Sequence, residues 1–244
     1  MRQQAEDNGA SDKDVCSICG GAGWVAVRDG RTGRMSVKTC RCRMAERLRK
    51  RCNVQPSQLE RYTFATYKPE QCHPYKGDTQ KDVIAQMGKV VKACSAYAES
   101  PSGWLVLLGK VGSGKSHLAY AIAGKLLERG VGVYWDTVPE LLDHLRNGYK
   151  DNRYMDLLQS MMRVPALVLD DLGAEQETGW VTEKLFQLLN RRYMDRRSTV
   201  VTSNLNIRNS EVKLDARIRS RLLDRRLSQV LTLAAADYRM EVAA

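Results

Sequence analysis

The sequence predicts an α/β fold, a parallel sheet flanked by helices, with a small cysteine-bearing module ahead of it. Three observations carry that prediction. From Lys81 onward, apolar runs of strand length alternate with longer helical patterns, the order that builds parallel βαβ units. One run, WLVLL (104–108), leads straight into the glycine-rich stretch GKVGSGKS (109–116) and then into a helical pattern. Another, ALVLD (166–170), is continuously apolar up to a pair of aspartates, as a strand buried on both faces reads.

At 244 residues the chain holds one main domain and a small appendage. It is 43% hydrophobic and 27% charged, and no apolar run approaches the ~20 residues a membrane helix needs. The opening MRQQAEDNGASDKD is polar and lacks the apolar stretch of a secretory signal. A cytoplasmic location is expected, where the seven cysteines would be reduced thiols or metal ligands. The net charge of +11 and pI near 9.4 suggest a polyanionic partner, nucleic acid first, although net charge also serves solubility. The basic stretches are RTGRMSVKTCRCRMAERLRKR near the start and RIRSRLLDRR near the end.

Four segments are expected: a disordered tail (1–14), a cysteine module (15–52), a proline-bearing lead-in (53–80) and the main domain (81–244). Within the last, DVIAQMGKVVKACSAYAES is a helix that ends before Pro101, and WLVLL is a strand. SHLAYAIAGKLLERG is a helix with a glycine stop. GVGVYWDT reads as a strand, PELLDHLRN and RYMDLLQSMMR as helices, the first with proline near its N-terminus. ALVLD is the buried strand, WVTEKLFQLLNRRYMDRR an amphipathic helix, STVVTSN a strand and SQVLTL the last strand.

Gly109, Gly114, Lys115 and Ser116 satisfy G-x-x-x-x-G-K-S between a strand and a helix, where phosphate binding requires it. Glycines let backbone N–H groups curl around a phosphate and the helix N-terminus adds partial positive charge. The loop through Val111, Gly112, Ser113 and on to His117 is the expected ATP-binding segment, with Lys115 on the β/γ oxygens and Ser116 on Mg²⁺. A chance glycine turn is the bland alternative. Asp170 and Asp171 end a buried strand at the crevice edge of an open sheet. Asp170 is expected to hold Mg²⁺ through water, and Asp171 to orient or deprotonate the attacking water; capping of a turn is the alternative. Glu175 is a weaker candidate. Asn204, at the end of the next strand, is expected to polarise that water, or simply to form a turn.

Cys16 and Cys19 form C-x-x-C, and Cys40 and Cys42 form C-x-C beyond a hairpin-like RDGRTG. Two close pairs suit one tetrahedral Zn²⁺, which would have to fold so small a module. Free thiols, an Fe–S cluster or a ligand from Cys72 or His73 are the alternatives. Arg146, Lys150, Arg153 and Tyr154 combine cations with an aromatic ring, suited to a nucleic-acid strand or to an ordinary amphipathic surface.

The order GKVGSGKS, ALVLDDLGAE, NRRYMDRRSTVVTSNL, LDARIRSRLLDRR and AADYR resembles the DnaC/IstB-type AAA+ ATPases over about residues 60–240, most like replicative-helicase loaders. The resemblance implies an AAA+ sheet with a truncated lid and an ATPase in which Asn204 is sensor 1. It implies an arginine finger at Arg221, with Arg217 as second choice, supplied to a neighbouring subunit of a homo-oligomer, and a sensor 2 arginine at Arg239. It further implies a replicative DNA helicase and single-stranded DNA as partners, with the zinc module docking the helicase or controlling access to the ATPase domain; some loaders carry such a module, whereas IstB-type transposition ATPases generally use another N-terminal extension. A transposition helper of IstB type, which acts on duplex DNA with a transposase, is the competing expectation; a zinc-dependent adaptor that uses ATP as a clamp is a third.

Overall fold

The computed structural model describes residues 16, 18–28, 33–40, 43, 53–74, 77–175, 178–209 and 211–238. The expected tail 1–14, Cys42 and Arg239 lie outside them. In chain order come β1 (Trp24–Arg28), β2 (Met35–Thr39), α1 (Pro56–Arg61), a 3₁₀ turn (Pro69–Gln71), α2 (Gln80–Glu99), β3 (Trp104–Gly109), α3 (Lys115–Glu128) and β4 (Val133–Thr137). There follow α4 (Val138–Lys150), α5 (Tyr154–Arg163), β5 (Ala166–Leu172), α6 (Gly179–Met194), β6 (Ser198–Ser203), α7 (Ala216–Leu222) and β7 (Ser228–Leu233).

β1 and β2 pair antiparallel, Ala26 opposite Val37. The main sheet has five strands in the order β4-β5-β6-β3-β7, and every described pairing in it is parallel. β3 therefore lies inside the sheet, with Val106 opposite Val201 on one side and Val230 on the other.

Alternation along the strands divides the core. Leu105, Leu107, Val168 and Val200 pack with α1, α2 and α3 through Leu59, Met87, Leu118 and Ile122. Trp104, Val106, Leu167 and Val201 face α4 to α7 through Leu141, Leu158, Leu188 and Ile218. Covering both faces is what makes these strands apolar throughout. Helix starts are set locally: the side chains of Thr79, Thr137 and Thr178 accept from the N–H groups of Asp82, Glu140 and Val181. Among the described residues no helix is long and apolar enough to cross a membrane.

The lead-in contributes to this core, with Val54, Leu59, Tyr67 and Cys72 buried in the same cluster as α2 and α3. Its end meets the C-terminal segment: Pro74 bridges Ala235 antiparallel, and Ala236 N donates to the His73 carbonyl at 3.0 Å. On the opposite face Arg192 is fully buried. Its guanidinium donates to the carbonyls of Met161 (2.8 Å), Val164 (2.9 Å) and Ser198 (2.5 Å) and to Thr199 Oγ1 (3.0 Å). One flat fork thus ties the end of α5 to the start of β6. A lysine offers a single ammonium and cannot span these acceptors. Arg192→Lys is expected to cost about 3 kcal/mol of unfolding free energy, read from urea denaturation.

Candidate active site

β3 carries Gly109 to the carboxyl edge of the sheet, where the chain turns through Lys110–Gly114 into α3. Gly112 and Gly114 have φ of 73° and 94°, in the left-handed region. Neither has room for a side chain: a Cβ on Gly112 would strike the Asp237 carboxylate, and one on Gly114 would lie 2.7 Å from the Tyr67 ring. Val111 is 54% exposed. Ser113 is buried, and its hydroxyl meets no partner among the described residues. Gly114 caps α3, so the helix opens on the loop with its unsatisfied N–H groups and positive end. Such a cradle of donors suits phosphate oxygens.

Behind the loop the predicted catalytic residues meet in a chain of polar contacts. Lys115 Nζ donates to the Lys110 carbonyl (2.8 Å) and to Asn204 Oδ1 (2.6 Å). Asn204 Nδ2 donates to Asp171 Oδ1 at 2.6 Å. The Asp171 N–H donates to Thr202 Oγ1 (2.9 Å), and Thr202 Oγ1 donates to Asp170 Oδ1 (2.5 Å). Ser116 Oγ donates to the same Asp170 oxygen at 3.1 Å, returning the chain to the residue beside Lys115. Asp171 has φ of 60°, and the β5–β6 pairing shifts register between Leu169 and Leu172. Asp170 is only 5% exposed. Burial pushes its carboxyl above the usual carboxylate range, while the Thr202 and Ser116 donors pull it down. The Ser116 hydroxyl and the Asp170 carboxylate form a hard-oxygen pair that fits Mg²⁺.

The remaining predicted residues sit as follows. His117 turns its side chain to the lead-in: Nε2 lies 2.9 Å from the Thr63 carbonyl and 3.3 Å from Thr66 Oγ1, with the ring edge-on to Tyr62 and Tyr67. Glu175 accepts from Gly173 N at 2.8 Å. Arg221 donates to Asn190 Oδ1 (2.6 Å) and the Arg217 carbonyl (2.8 Å), its guanidinium over Phe186. Arg217 pairs with Asp215 at 3.1 Å. The thiols of Cys16, Cys19 and Cys40 lie within 4.8 Å of one another. Tyr154 is 8% exposed and stacks at 4.0 Å on Tyr149, which is 48% exposed.

With this geometry in hand, residues 75–242 match a family described as IstB-like ATP binding protein. The chain belongs to that family. Among relatives of this IstB-like chain is the replicative helicase loader DnaC of Buchnera aphidicola subsp. Baizongia pistaciae (strain Bp). It is 31% identical over 140 residues, which make up 55% of this chain and 57% of the relative. An ATP-binding protein of insertion sequence IS232 from Bacillus thuringiensis subsp. berliner is 29% identical over 140 residues, 56% of each chain. This chain thus spans little more than half the length of either relative. The crystal structure of the DnaC helicase loader shares the fold at a TM-score of 0.57 and 21% identity, over 72% of this chain and 98% of that one. The family match makes the IstB-like chain an ATP-binding protein, and its parallel sheet has the fold of the DnaC loader.

Sequence reasoning missed Thr202, the lead-in contacts and Asp237. Thr202 left one trace, a hydroxyl directly after the apolar pair Val200 and Val201; Tyr67 and Asp237 left none, since their contacts with the loop join distant parts of the chain. His117 yields a pH prediction. Burial lowers its pKa, so the folded state favours neutral imidazole, and that stability is full above about pH 6.5 and lost as pH falls through the depressed value. Between pH 7 and pH 5 the wild-type melting temperature is expected to fall further than that of His117→Gln, whose amide still donates to Thr63 but does not titrate.

Proposed function

We propose that this IstB-like ATPase is a replicative-helicase loader that hydrolyses ATP while it engages a hexameric DNA helicase and delivers it onto single-stranded DNA in the cytoplasm. What supports the loader reading most is the cluster of Cys16, Cys19 and Cys40 ahead of the ATPase domain, since such a module is expected of some loaders and not of transposition helpers. The Cys16 and Cys40 sulfurs are 3.8 Å apart, the edge of a tetrahedron with metal–sulfur bonds of ~2.3 Å. Zn²⁺ held there, with Cys42 as fourth ligand, would organise residues 15–52 into the surface that docks the helicase. Residues 53–80 then form the lead-in and 81–244 the ATPase domain.

In the ATPase centre the N–H groups from Gly109 to His117 hold the phosphates, and Lys115 exchanges Asn204 for the β/γ oxygens. Ser116, and Asp170 through water, would hold magnesium, which would supply charge neutralisation at the transferred phosphoryl group. Asp171 accepts a proton from the attacking water, its carboxylate oriented by the Asn204 amide; Asn204 Oδ1, released by Lys115, helps to place that water. Arg221, with Arg217 as second choice, acts in a neighbouring subunit, where such a residue contributes about 10³ to 10⁵ in rate, and Arg239 reads the γ-phosphate as sensor 2.

Support for a single strand of nucleic acid comes from a surface that joins α4, α5 and α6. Tyr149 is stacked over Tyr154 and tilted against Trp180, with Arg146 over Trp180 and Lys184 over Tyr154. Aromatic faces among cations serve base stacking and backbone neutralisation together. The IS232 relative supports a second reading, a transposition helper that acts on duplex DNA with a transposase.

Asp171→Asn is expected to retain ATP binding and lose at least ten-fold in phosphate release; unchanged turnover would remove Asp171 from the chemistry. The loader reading is tested by pull-down with the replicative helicase from the same cell. The full chain is expected to capture it and a form without residues 1–52 to lose it, whereas capture of a transposase and of no helicase by either form would favour the second reading.

A further inference from the structure

Thr202 stands where β5 and β6 lose register, and its hydroxyl occupies a position that the neighbouring Val200 and Val201 fill with methyl groups. It is almost fully buried. Because Oγ1 accepts the Asp171 N–H at 2.9 Å, its single proton is free for Asp170 Oδ1 at 2.5 Å. Asp170 Oδ1 has a second donor, Ser116 at 3.1 Å. The two donors differ in role. Ser116 would also offer an oxygen lone pair to the metal while its proton stays on Asp170, whereas Thr202 serves only Asp170 and the Asp171 N–H.

We propose that Thr202 is a positioning residue for the metal side of the ATP site. Through the whole cycle it occupies one oxygen of Asp170 and leaves Oδ2 for the magnesium shell. Through the same hydroxyl it ties down the Asp171 N–H, and so the left-handed backbone that aims the second carboxylate. β6 thus presents both aspartates of β5 as well as its own following residue, Asn204. The inference rests on the ATP reading above and adds a residue that neither touches nucleotide nor ligates metal.

A fluorescent ATP analogue carrying a methylanthraniloyl group separates this role from simple stability. Its affinity is measured in EDTA and in excess Mg²⁺ for wild type, Thr202→Val and Thr202→Ser, with melting curves to establish folding. Magnesium is expected to tighten binding to wild type and to Thr202→Ser. Thr202→Val is expected to keep the EDTA affinity and to lose about ten-fold of the magnesium gain, the scale of one charge-assisted hydrogen bond. A valine form with the full magnesium gain overturns the proposal. So does one weakened equally with and without the metal, or a serine form that behaves as valine does. If the valine form does not fold, Thr202→Cys replaces it, with a smaller loss in the same direction expected and a full gain again overturning the proposal. Wild-type protein that binds no analogue, or shows no magnesium gain, overturns the reading of the ATP site itself, a separate outcome.

Discussion

A carboxylate that meets almost no solvent has to be held by donors, because an unpaired buried charge costs several kcal/mol. Asp170 is that group here, and much of the site follows from satisfying it. Thr202 and Ser116 approach the same oxygen from β6 and from the glycine-loop helix, so one side chain fixes the spacing of two elements that share no strand pairing with each other. The register shift of β5 against β6 and the left-handed Asp171 fall where the sheet gives way to this network. Strained backbone of this sort persists only where surrounding contacts over-determine it, and Thr202 and Asn204 supply those contacts from the neighbouring strand.

Much of the domain could be read from residue order. Runs such as WLVLL and ALVLD are apolar at every position because helices cover both faces, and that is visible without coordinates. The glycine loop was legible because its spacing is dictated by backbone geometry at Gly112 and Gly114. Asp170, Asp171 and Asn204 were legible because they end strands on one edge of the sheet, and the structure brings them together with Lys115 and Ser116. Strand order was not, since a sequence does not say that β3 slips between β6 and β7. Thr202 escaped for a related reason: a threonine in a strand is unremarkable until its cross-strand neighbour is known to be an acid. Tyr154 went the other way. Its place among cations suited either a nucleic-acid strand or an ordinary amphipathic surface, and in the structure Tyr149 covers it and takes the exposed position.

The lead-in shows how a segment rich in turn residues still becomes part of a site. Thr63, Thr66 and Tyr67 carry little signal of their own, but each meets the first turn of α3, through His117 or against Gly114. The His117 imidazole is half-buried between Tyr62 and Tyr67, and that burial favours its neutral form in the seam.

The strap formed where Pro74 meets Ala235 has a consequence for biosynthesis. Tyr238 N donates to the Gly112 carbonyl, and its hydroxyl reaches Gln71, 167 positions earlier in the chain. The glycine loop therefore receives its last hydrogen bond from residues that leave the ribosome long after the loop itself. Closing contacts of such separation costs more chain entropy than closing the loop itself, so the hydrogen-bonded surroundings of the phosphate cradle are complete only once residue 238 has been made.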